Sequence, residues 1–419
     1  MKGTAYISIL IAVVAAAAWL SACAPVAKIA EIPEYISRDY PTAENTYTSL
    51  LEISRAMEDA MAAGQTELTI NVTGIDETDL RSIGDNMSTF WGKPTQYTIS
   101  GELKDIDGIV PGRTVDVKTI KNTFELSDNY YIYDYIKNGK PIPAGRDHAQ
   151  AIADALPAIA AEVFPDPGAT DYAKALAAHD WLVANIDYDV STPSTGDENG
   201  TYGAFILKRT MCQGYAEAFE LLLRCYTDVE TVQIVGEALD TSLNSPDVTD
   251  ATNGTDATDG TDTAPSPADA APAVKWIGHV WNAVKIDGAW YQVDTTFNDP
   301  LGTPFDRVSH FYFGQSDGVM VQNHRWNYEY FPSCYLGDFL YYRQSGLFAE
   351  NWDDFQSIAE GQLTEAPVDY IEAAVRGATI TGDNFQFMYK TRTDLDSIYW
   401  SEQVWSDIHV LSIDLVYTS

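Results

Sequence analysis

The sequence predicts an α+β protein in which a helix that begins at a cysteine packs on an antiparallel sheet that carries a histidine and an aspartate. Apolar residues recur at helical spacing after Cys212. Two strand-like runs flank Asp287-Gly288, a dipeptide typical of two-residue hairpin turns. Helix-like and strand-like segments on either side predict a small α+β module before and after this core, which spans residues 147–335.

Residues 1–22 have the pattern of a cleaved signal peptide. Lys2 precedes an apolar run over 7–20, which is too short and too rich in alanine for a membrane span. The run ends in Leu20-Ser-Ala-Cys23, which resembles a lipobox and implies cleavage before Cys23 with lipid on its sulfur. An ordinary signal peptide with a chance cysteine is the alternative. We expect an exported protein, lipid-anchored at the bacterial cell envelope through a tether over 23–40.

The formal net charge is −36, from 61 acidic and 25 basic residues. Nucleic-acid binding needs a patch of Lys and Arg that neutralises phosphates, so this charge argues against a nucleic-acid partner. It also argues against electrostatic adhesion to anionic lipid, which leaves the acyl anchor as the expected membrane contact. A solvated acidic surface is the simplest interpretation, and a basic partner is compatible with it.

The N-terminal module is predicted to span 41–140. Apolar residues at helical spacing predict a helix over 46–63, and a second helix is expected over 76–86. Strand-like patterns lie at 66–72, 96–103 and 114–133.

The C-terminal module, 336–419, shares a hexapeptide pattern with the N-terminal module. Thr78-Asp-Leu-Arg-Ser-Ile83 and Thr393-Asp-Leu-Asp-Ser-Ile398 differ at one position in six. A helix-like segment at 372–377 and a strand-like run at 385–389 extend the similarity. A duplicated module would explain the pattern, and a chance match of six residues is the alternative.

The central domain is predicted to open with helices over 148–164 and 171–186. Residues 240–273 consist almost entirely of Asp, Thr, Ala, Pro, Gly, Ser and Asn. They have little to bury, so we expect a disordered insertion. It interrupts the domain between Cys212 and the histidine segment. The domain tolerates it because the cost of loop closure grows only with the logarithm of length.

Cys212 is predicted to lie at, or just before, the start of a helix. Tyr215, Phe219 and Leu222 follow it at helical intervals. Unpaired amides and the positive end of the helix dipole favour a thiolate at such a position. The backbone N–H of Cys212 is a natural oxyanion donor once the thiolate has attacked a carbonyl.

The predicted hairpin brings a histidine and an aspartate together. A two-residue turn at Asp287-Gly288 pairs Ile286 with Ala289, and counting outward pairs Trp281 with Asp294. His279 lies two residues from Trp281 and therefore on the same face of the sheet. His279 and Asp294 are then diagonal neighbours within side-chain reach.

The sequence has four cysteines: Cys23, Cys212, Cys225 and Cys334. Cys225 and Cys334 could form a disulfide in an oxidising compartment. Alternatively, Cys225 lies on the far side of its helix from Cys212 as a small buried residue. Paired CxxC motifs and histidines at ligand spacing are both absent from the sequence, which predicts neither a metal nor a cofactor.

Three segments resemble the core of bacterial transglutaminase-like proteins, which belong to the papain-like thiol superfamily. They are Cys212-Gln-Gly-Tyr-Ala-Glu-Ala-Phe219, Gly278-His-Val-Trp-Asn282 and Trp290-Tyr-Gln-Val-Asp-Thr-Thr-Phe-Asn-Asp-Pro300. The resemblance runs from about residue 172 to 335. It implies a cysteine-bearing helix on an antiparallel sheet, with Cys212 as nucleophile, His279 as base and acid, and Asp294 orienting the imidazole. The insertion before His279 departs from the family pattern.

Other residues near these segments have two interpretations each. The Tyr202 hydroxyl is a candidate second oxyanion donor or a packing tyrosine. Trp281 is a candidate wall of the cleft or a core residue. His324 is structural or a partner of the catalytic residues. Asn298-Asp299-Pro300 predicts a turn. Two further histidines are predicted to be structural: His179 and His310.

The resemblance implies an enzyme that forms a thioester on Cys212. A glutamine-type or peptide amide is attacked, ammonia or an amine leaves, and a second amine or water resolves the intermediate. Transglutaminase, deamidase and cysteine peptidase all fit, without a cofactor, and the expected partner is a peptide or protein amide such as a cell-wall peptide. The alternative is a catalytically silent surface adaptor that binds a cell-wall or protein ligand.

Overall fold

The structure, a computed structural model, describes residues 46–105, 114–189, 199–239, 249–250, 275–299, 307–365 and 368–418. Residues 45–419 cluster as one unit. The predicted signal peptide, Cys23 and the tether lie outside the described residues. None of the helices within the described ranges is long and apolar enough to cross a membrane.

The described residues form both helices and strands. The helices are α1 Leu50–Ala62, α2 Glu77–Arg81, α3 Ile83–Asn86, α4 Asp128–Asn138, α5 Asp147–Val163, α6 Asp171–Asn185, α7 Cys212–Tyr226, α8 Asp317–Met320, α9 Leu340–Gln344, α10 Trp352–Glu365 and α11 Gln386–Thr391. The strands are β1 Thr46–Tyr47, β2 Glu67–Thr73, β3 Gly92–Asp105, β4 Thr114–Leu126, β5 Asp187–Tyr188, β6 Arg209–Thr210, β7 Thr231–Leu239, β8 Thr249–Asp250, β9 Trp276–Ile286, β10 Ala289–Val293, β11 Phe313–Gln315, β12 His324–Trp326, β13 Phe348–Ala349, β14 Tyr370–Arg376, β15 Leu395–Trp405 and β16 Ile408–Tyr417.

The first sheet has the order β1-β2-β4-β3 and packs against α1. Ser49 begins α1 with a capping box: its hydroxyl accepts from the Glu52 N–H, and the Glu52 carboxylate accepts from the Ser49 N–H, both at 3.2 Å. The apolar face predicted for this helix is buried: Leu50, Ile53, Met57 and Met61.

The strand predicted over 114–133 is wrong in its last part, because β4 ends at Leu126 and α4 begins at Asp128. The Ser127 hydroxyl accepts from the Tyr130 N–H and caps the new helix. Gly139, with φ 69°, ends it in the left-handed conformation. Tyrosine has a high strand propensity, which explains the prediction. The two caps and the buried face of the segment stabilise a helix instead.

The second sheet is antiparallel throughout, in the order β11-β10-β9-β7-β12. Ile286 pairs with Ala289, as the turn predicts, and the register continues to Asn282 opposite Val293. Helix α7 packs on this sheet, and its predicted apolar face is fully buried. The Asn282 side chain donates to the Ala216 carbonyl at 3.1 Å and ties the helix to β9. The predicted helix-on-antiparallel-sheet core is therefore confirmed.

The third sheet, in the order β13-β14-β16-β15-β8, repeats over its first four strands the order and strand directions of the first sheet, as a duplicated module would. The segments from which the duplication was predicted, however, do not occupy equivalent positions in the two modules. The hexapeptide at 78–83 lies in α2 and α3, whereas the one at 393–398 enters β15. Residues 372–377 lie mostly in β14, not in a helix, and 385–389 lie mostly in α11, not in a strand. β14 is buried on both faces, so it lacks the polar alternation that would have marked a strand.

Of the insertion predicted to be disordered over 240–273, the structure describes Thr249 and Asp250. These two residues form β8, which pairs with Tyr399 and Trp400 of β15. They therefore depart from the expectation, and the rest of the insertion lies outside the described residues.

Among the described residues, two apolar clusters fill the interior. The larger one joins the first two sheets and takes Ala374, Ile408 and Val410 from the third. The smaller one lies between the third sheet and the helices α10 and α11. The larger cluster crosses both predicted domain boundaries, near residues 140 and 335, and those boundaries stay predictions.

Candidate active site

Cys212 is the first residue of α7. Met211 precedes it in an extended conformation and provides no side-chain cap. The helix dipole therefore acts on the thiol without a competing side chain from Met211. The first turn of α7 is packed closely, because a Cβ on Gly214 would lie 2.0 Å from the Thr210 hydroxyl oxygen and 2.8 Å from the Gly200 carbonyl oxygen. Glycine at 214 lets the preceding segment approach the helix start.

His279 and Asp294 meet as the hairpin register predicts. The imidazole Nε2 of His279 lies 2.7 Å from Asp294 Oδ2, and both side chains are buried. The other carboxylate oxygen, Oδ1, accepts from the backbone N–H groups of Thr296 at 3.0 Å and Phe297 at 3.1 Å. These bonds fix the carboxylate so that it orients the His279 ring.

The His279 imidazole acts on the Cys212 thiol through hydrogen bonding and through charge, and both influences lower the pKa of the thiol. Because Nε2 is bonded to Asp294, Nδ1 is the ring nitrogen left for the thiol. Burial raises the pKa of Cys212, but His279 and the Val280 backbone N–H outweigh burial and lower it below its ordinary value. Burial lowers the pKa of His279, but the charge of Asp294 and the bonds to Asp294 and Cys212 raise it to about 10. This arrangement favours a thiolate–imidazolium pair.

Asp294 has a second imidazole partner, His324. Its Nε2 lies 2.9 Å from Asp294 Oδ2, the oxygen that also binds His279. Burial raises the pKa of Asp294, but the two imidazoles outweigh burial and hold that pKa well below its usual range. Burial lowers the pKa of His324, which favours a neutral ring that donates from Nε2. The sequence left this role open as one of two interpretations, because β12 follows the hairpin by 30 residues.

Gly236 of β7 makes room for this cluster of rings. It pairs with His279, and a Cβ there would lie 2.3 Å from the Arg325 carbonyl oxygen and 2.9 Å from the Trp281 ring. Trp281 stacks against His279 with ring centroids 5.7 Å apart and is 1% exposed. Its Nε1 donates to Gln292 Oε1 at 2.6 Å. Trp281 is thus a core residue behind the imidazole, not an exposed wall of the cleft.

Tyr202 precedes a short π-helix, Gly203–Leu207, and its ring stacks on His148 at 3.9 Å. It lines a cavity together with Gln213, the residue after Cys212. Its role as an oxyanion donor stays a prediction. Cys225 and Cys334 are free, buried thiols. Burial raises the pKa of Cys225 to about 12, in contrast to the lowered pKa of Cys212.

Asn298, predicted to form a turn, also fixes a buried histidine. Its Oδ1 accepts from the Tyr312 N–H at 2.9 Å, so its Nδ2 donates to His179 Nε2 at 2.8 Å. His179 must then carry its proton on Nδ1, which donates to Asp180 at 2.8 Å. Hydrogen bonds thus hold His179 in one tautomer, as expected for a structural histidine.

Two groups of side chains within the described residues could hold a metal: His179 with Asp180 and His310, and His279 with Asp294 and His324. In both groups the ring nitrogens that face the carboxylate act as hydrogen-bond donors. A metal would need lone pairs on those nitrogens. The donor pattern fits proton-bearing networks in both groups.

The sequence model described as the Transglutaminase-like superfamily matches residues 159–295, which include α7, β9 and Asp294. This part of the chain is therefore similar in sequence to the Transglutaminase-like superfamily. A crystal structure of a TGase is 13% identical with a TM-score of 0.26, over 58% of this chain and 54% of that one, so the match spans about half of the TGase. The periplasmic domain of TgpA from Pseudomonas aeruginosa bound to ethylmercury is 13% identical with a TM-score of 0.22, over 55% and 72% of the two chains. No curated protein matches the sequence.

Proposed function

We propose that the protein is a thiol enzyme that transfers acyl groups from amide bonds of peptides or proteins through a thioester on Cys212. The observation that carries this proposal is the line from the helix-start thiol of Cys212 through His279 to Asp294, with a 2.7 Å bond between the last two. The lowered pKa of Cys212 beside the raised pKa of His279 supports a thiolate–imidazolium pair as the nucleophile in this proposal.

The reaction begins when the Cys212 thiolate attacks the amide carbonyl carbon. The carbonyl oxygen becomes an oxyanion, to which the backbone N–H of Cys212 donates. The His279 imidazolium gives its proton to the leaving nitrogen, the carbon–nitrogen bond breaks, and ammonia or an amine departs. His279, now neutral, takes a proton from an incoming amine or water. That nucleophile attacks the thioester and releases the thiolate, which restores the pair with the imidazolium.

The location that we propose is the bacterial cell envelope, with lipid on Cys23. Leu20-Ser-Ala-Cys23 at the end of the apolar run supports it. Tethering makes cell-wall peptides and surface proteins accessible substrates. Labelling of cells with palmitate tests the anchor: we expect label in the wild-type protein and none after Cys23→Ala. Label that survives this substitution would contradict the lipobox assignment.

Alkylation by iodoacetamide as a function of pH tests the thiolate–imidazolium pair. We expect Cys212 to react with an apparent pKa below the ~8.5 of an ordinary thiol. Cys225 and Cys334 are buried and should stay unmodified in the folded protein. The matched variant His279→Gln should return Cys212 to ordinary behaviour. If Cys212 of the wild-type protein already reacts like an ordinary thiol, the adaptor function replaces the enzyme.

Trapping of the acyl-enzyme identifies the substrate. The purified protein is incubated with cell-envelope extract, quenched in acid and digested, and the Cys212 peptide is weighed. We expect an adduct that hydroxylamine removes, as it does thioesters, and that is absent from a Cys212→Ala control. A mass spectrum with no such adduct under any substrate condition would count against acyl transfer.

A further inference from the structure

A cavity of about 230 Å³ lies beside the first turns of α7. Its walls come from the start of α4, from α5, from residues 199–202 and from two α7 residues, Gln213 and Glu217. Gln213 directly follows Cys212. Gly214 is packed against the Gly200 carbonyl, so the loop that lines the cavity also contacts the turn that carries the thiol. The cavity is therefore a neighbour of the reacting sulfur.

Glu217 is the buried acidic group of this cavity. It is 9% exposed and accepts from the Gln213 side-chain amide at 2.8 Å. Burial raises the pKa of Glu217 to about 7, and neighbouring Gln213, Asn129 and the Thr201 N–H oppose the rise only in part. Among the described residues, no Lys, Arg or His forms an ion pair with it. A buried carboxylate that has only neutral donors is incompletely stabilised, which favours a cation beside it.

The remaining walls offer hydrogen-bond acceptors and few positive charges. None of the lining residues is Lys or Arg, and the one basic side chain, His148, is stacked on Tyr202. Asp128 already has an ion-pair partner in Arg146. The Oδ1 atom of Asn199 is buried and has no hydrogen-bond partner. An unpaired acceptor that lines the same cavity as an uncompensated carboxylate suits a ligand with several N–H donors and a positive charge.

We propose that this cavity binds a primary ammonium group, with Glu217 as counter-ion and Asn199 as a further acceptor. An ammonium has three N–H donors, so it can satisfy both side chains at once. Its role as part of a substrate rests on the proposed function, whereas the binding itself does not. Two sources share this chemistry: an amine that accepts the acyl group, and a lysine-type side chain of the acyl donor.

Calorimetric titration of the purified protein with n-butylamine tests the binding, with n-butanol as the neutral probe of similar shape. We expect butylamine to bind to the wild-type protein and equally to Cys212→Ala, because the cavity does not use the thiol. Glu217→Gln keeps the shape of the side chain but removes its charge, and it should weaken butylamine binding at least tenfold. Glu162→Gln removes the same charge at an exposed position and should leave butylamine binding unchanged. Equal binding of the two probes, or unchanged affinity in Glu217→Gln, would overturn the proposal.

A second variant tests the same site independently in case Glu217→Gln does not fold. Asn199→Leu removes the unpaired acceptor and fills part of the cavity, so it should also weaken butylamine, and retained affinity would contradict the proposed site. Affinity in the wild type should rise as pH increases through about 7, where Glu217 ionises. The other titratable groups that line the cavity are Asp128, His148 and Tyr202, so a rise that persists in Glu217→Gln would assign the effect to them and reject Glu217.

Kinetic measurements distinguish the two sources of the ammonium group. Glutamine-containing peptides with and without a neighbouring lysine serve as acyl donors, and butylamine or water as acceptor. If Glu217→Gln raises KM for butylamine alone, the cavity holds the acceptor. If it raises KM only for the lysine-containing donor, the cavity holds a substrate side chain. Unchanged values for both would overturn the substrate role, and Cys212→Ala binding data would still decide whether the cavity takes ammonium at all.

Discussion

At the residue scale, the chemistry of the site depends on Asp294, whose single buried carboxylate accepts four hydrogen bonds. Two come from backbone N–H groups and two from imidazoles. The carboxylate is the largest favourable influence on the raised pKa of His279. Asp294 therefore stabilises the Cys212 thiolate indirectly, through the His279 imidazolium.

Asp294→Asn is expected to lower the pKa of His279 and so to raise the pKa of Cys212 toward its ordinary value. The neutral amide no longer favours the imidazolium, and it can stabilise the wrong tautomer. By analogy with the loss of a triad aspartate, turnover should fall on the order of a thousandfold or more. The measurement is the pH profile of Cys212 alkylation together with turnover. Asp287→Asn at the hairpin turn is the matched control, since Asn also adopts its positive φ, and a parallel loss there would indicate a structural effect.

His324→Ala is expected to slow alkylation and acyl transfer about tenfold, because Asp294 loses a donor that holds its orientation. Leaving a hydrogen bond to a buried carboxylate unmade also costs on the order of 2 kcal/mol of stability. His324→Gln can still donate through its side-chain amide and should recover most of the rate. If the two variants behave alike, His324 serves packing only. His409→Ala, at a histidine remote in sequence from the site, controls for the general loss of an imidazole.

At the element scale, the active site needs three neighbouring strands, β9, β7 and β12, to approach without a side chain between them. Gly236 of β7 provides that gap opposite His279. Gly236→Ala would place a methyl group against the Arg325 carbonyl and the Trp281 ring. We expect a loss of about 1–3 kcal/mol in the free energy of unfolding, as for other overpacked sites. Denaturant unfolding measures it.

The control for Gly236→Ala is Gly278→Ala in β9 of the same sheet. A Cβ at Gly278 meets nothing within 4 Å. Both variants add one methyl group to the same sheet. A difference in their stability therefore reports the space around each position. Similar stability in both variants would contradict the packing role of Gly236.

Local signals in the sequence were sufficient for the elements that carry the proposed triad. A helix begins at Cys212, and Asp287-Gly288 fixes a register that brings His279 beside Asp294. Where tertiary packing determines the secondary structure, the predictions from local sequence were wrong. The aromatic run after Ser127 has strand propensity yet forms a capped helix, and the Ala-rich segment of β14 is a strand because neighbours cover both of its faces. The partner of Asp294 on β12 could not be fixed, since pairing of distant strands has no local marker.

At the scale of the whole molecule, an ionic network around the buried His310 joins α6 to the third sheet. His310 lies between two carboxylates: its Nδ1 is 2.8 Å from Glu372 Oε2 in β14, and its Nε2 is 3.1 Å from Asp180 Oδ1 in α6. The His310 backbone N–H also donates to Glu372 Oε1 at 3.1 Å. Both ring nitrogens donate, so His310 is an imidazolium that bridges elements more than 60 residues apart in either direction.

This network predicts a loss of stability in mildly alkaline solution. Burial lowers the pKa of His310, but Asp180 and Glu372 outweigh burial and raise it from 6.5 to about 9. A group whose pKa is raised by folding contributes its full stability below the unfolded pKa and loses it as pH rises through the folded pKa. The free energy of unfolding of the wild-type protein should therefore fall between about pH 6.5 and 9 relative to that of His310→Gln, by at most on the order of 3 kcal/mol. His279 titrates in an overlapping range, and taking the difference between the two proteins removes its contribution because both retain it. Parallel stability curves for the two proteins across this range would show that His310 is neutral and that the bridge between α6 and the third sheet carries no charge.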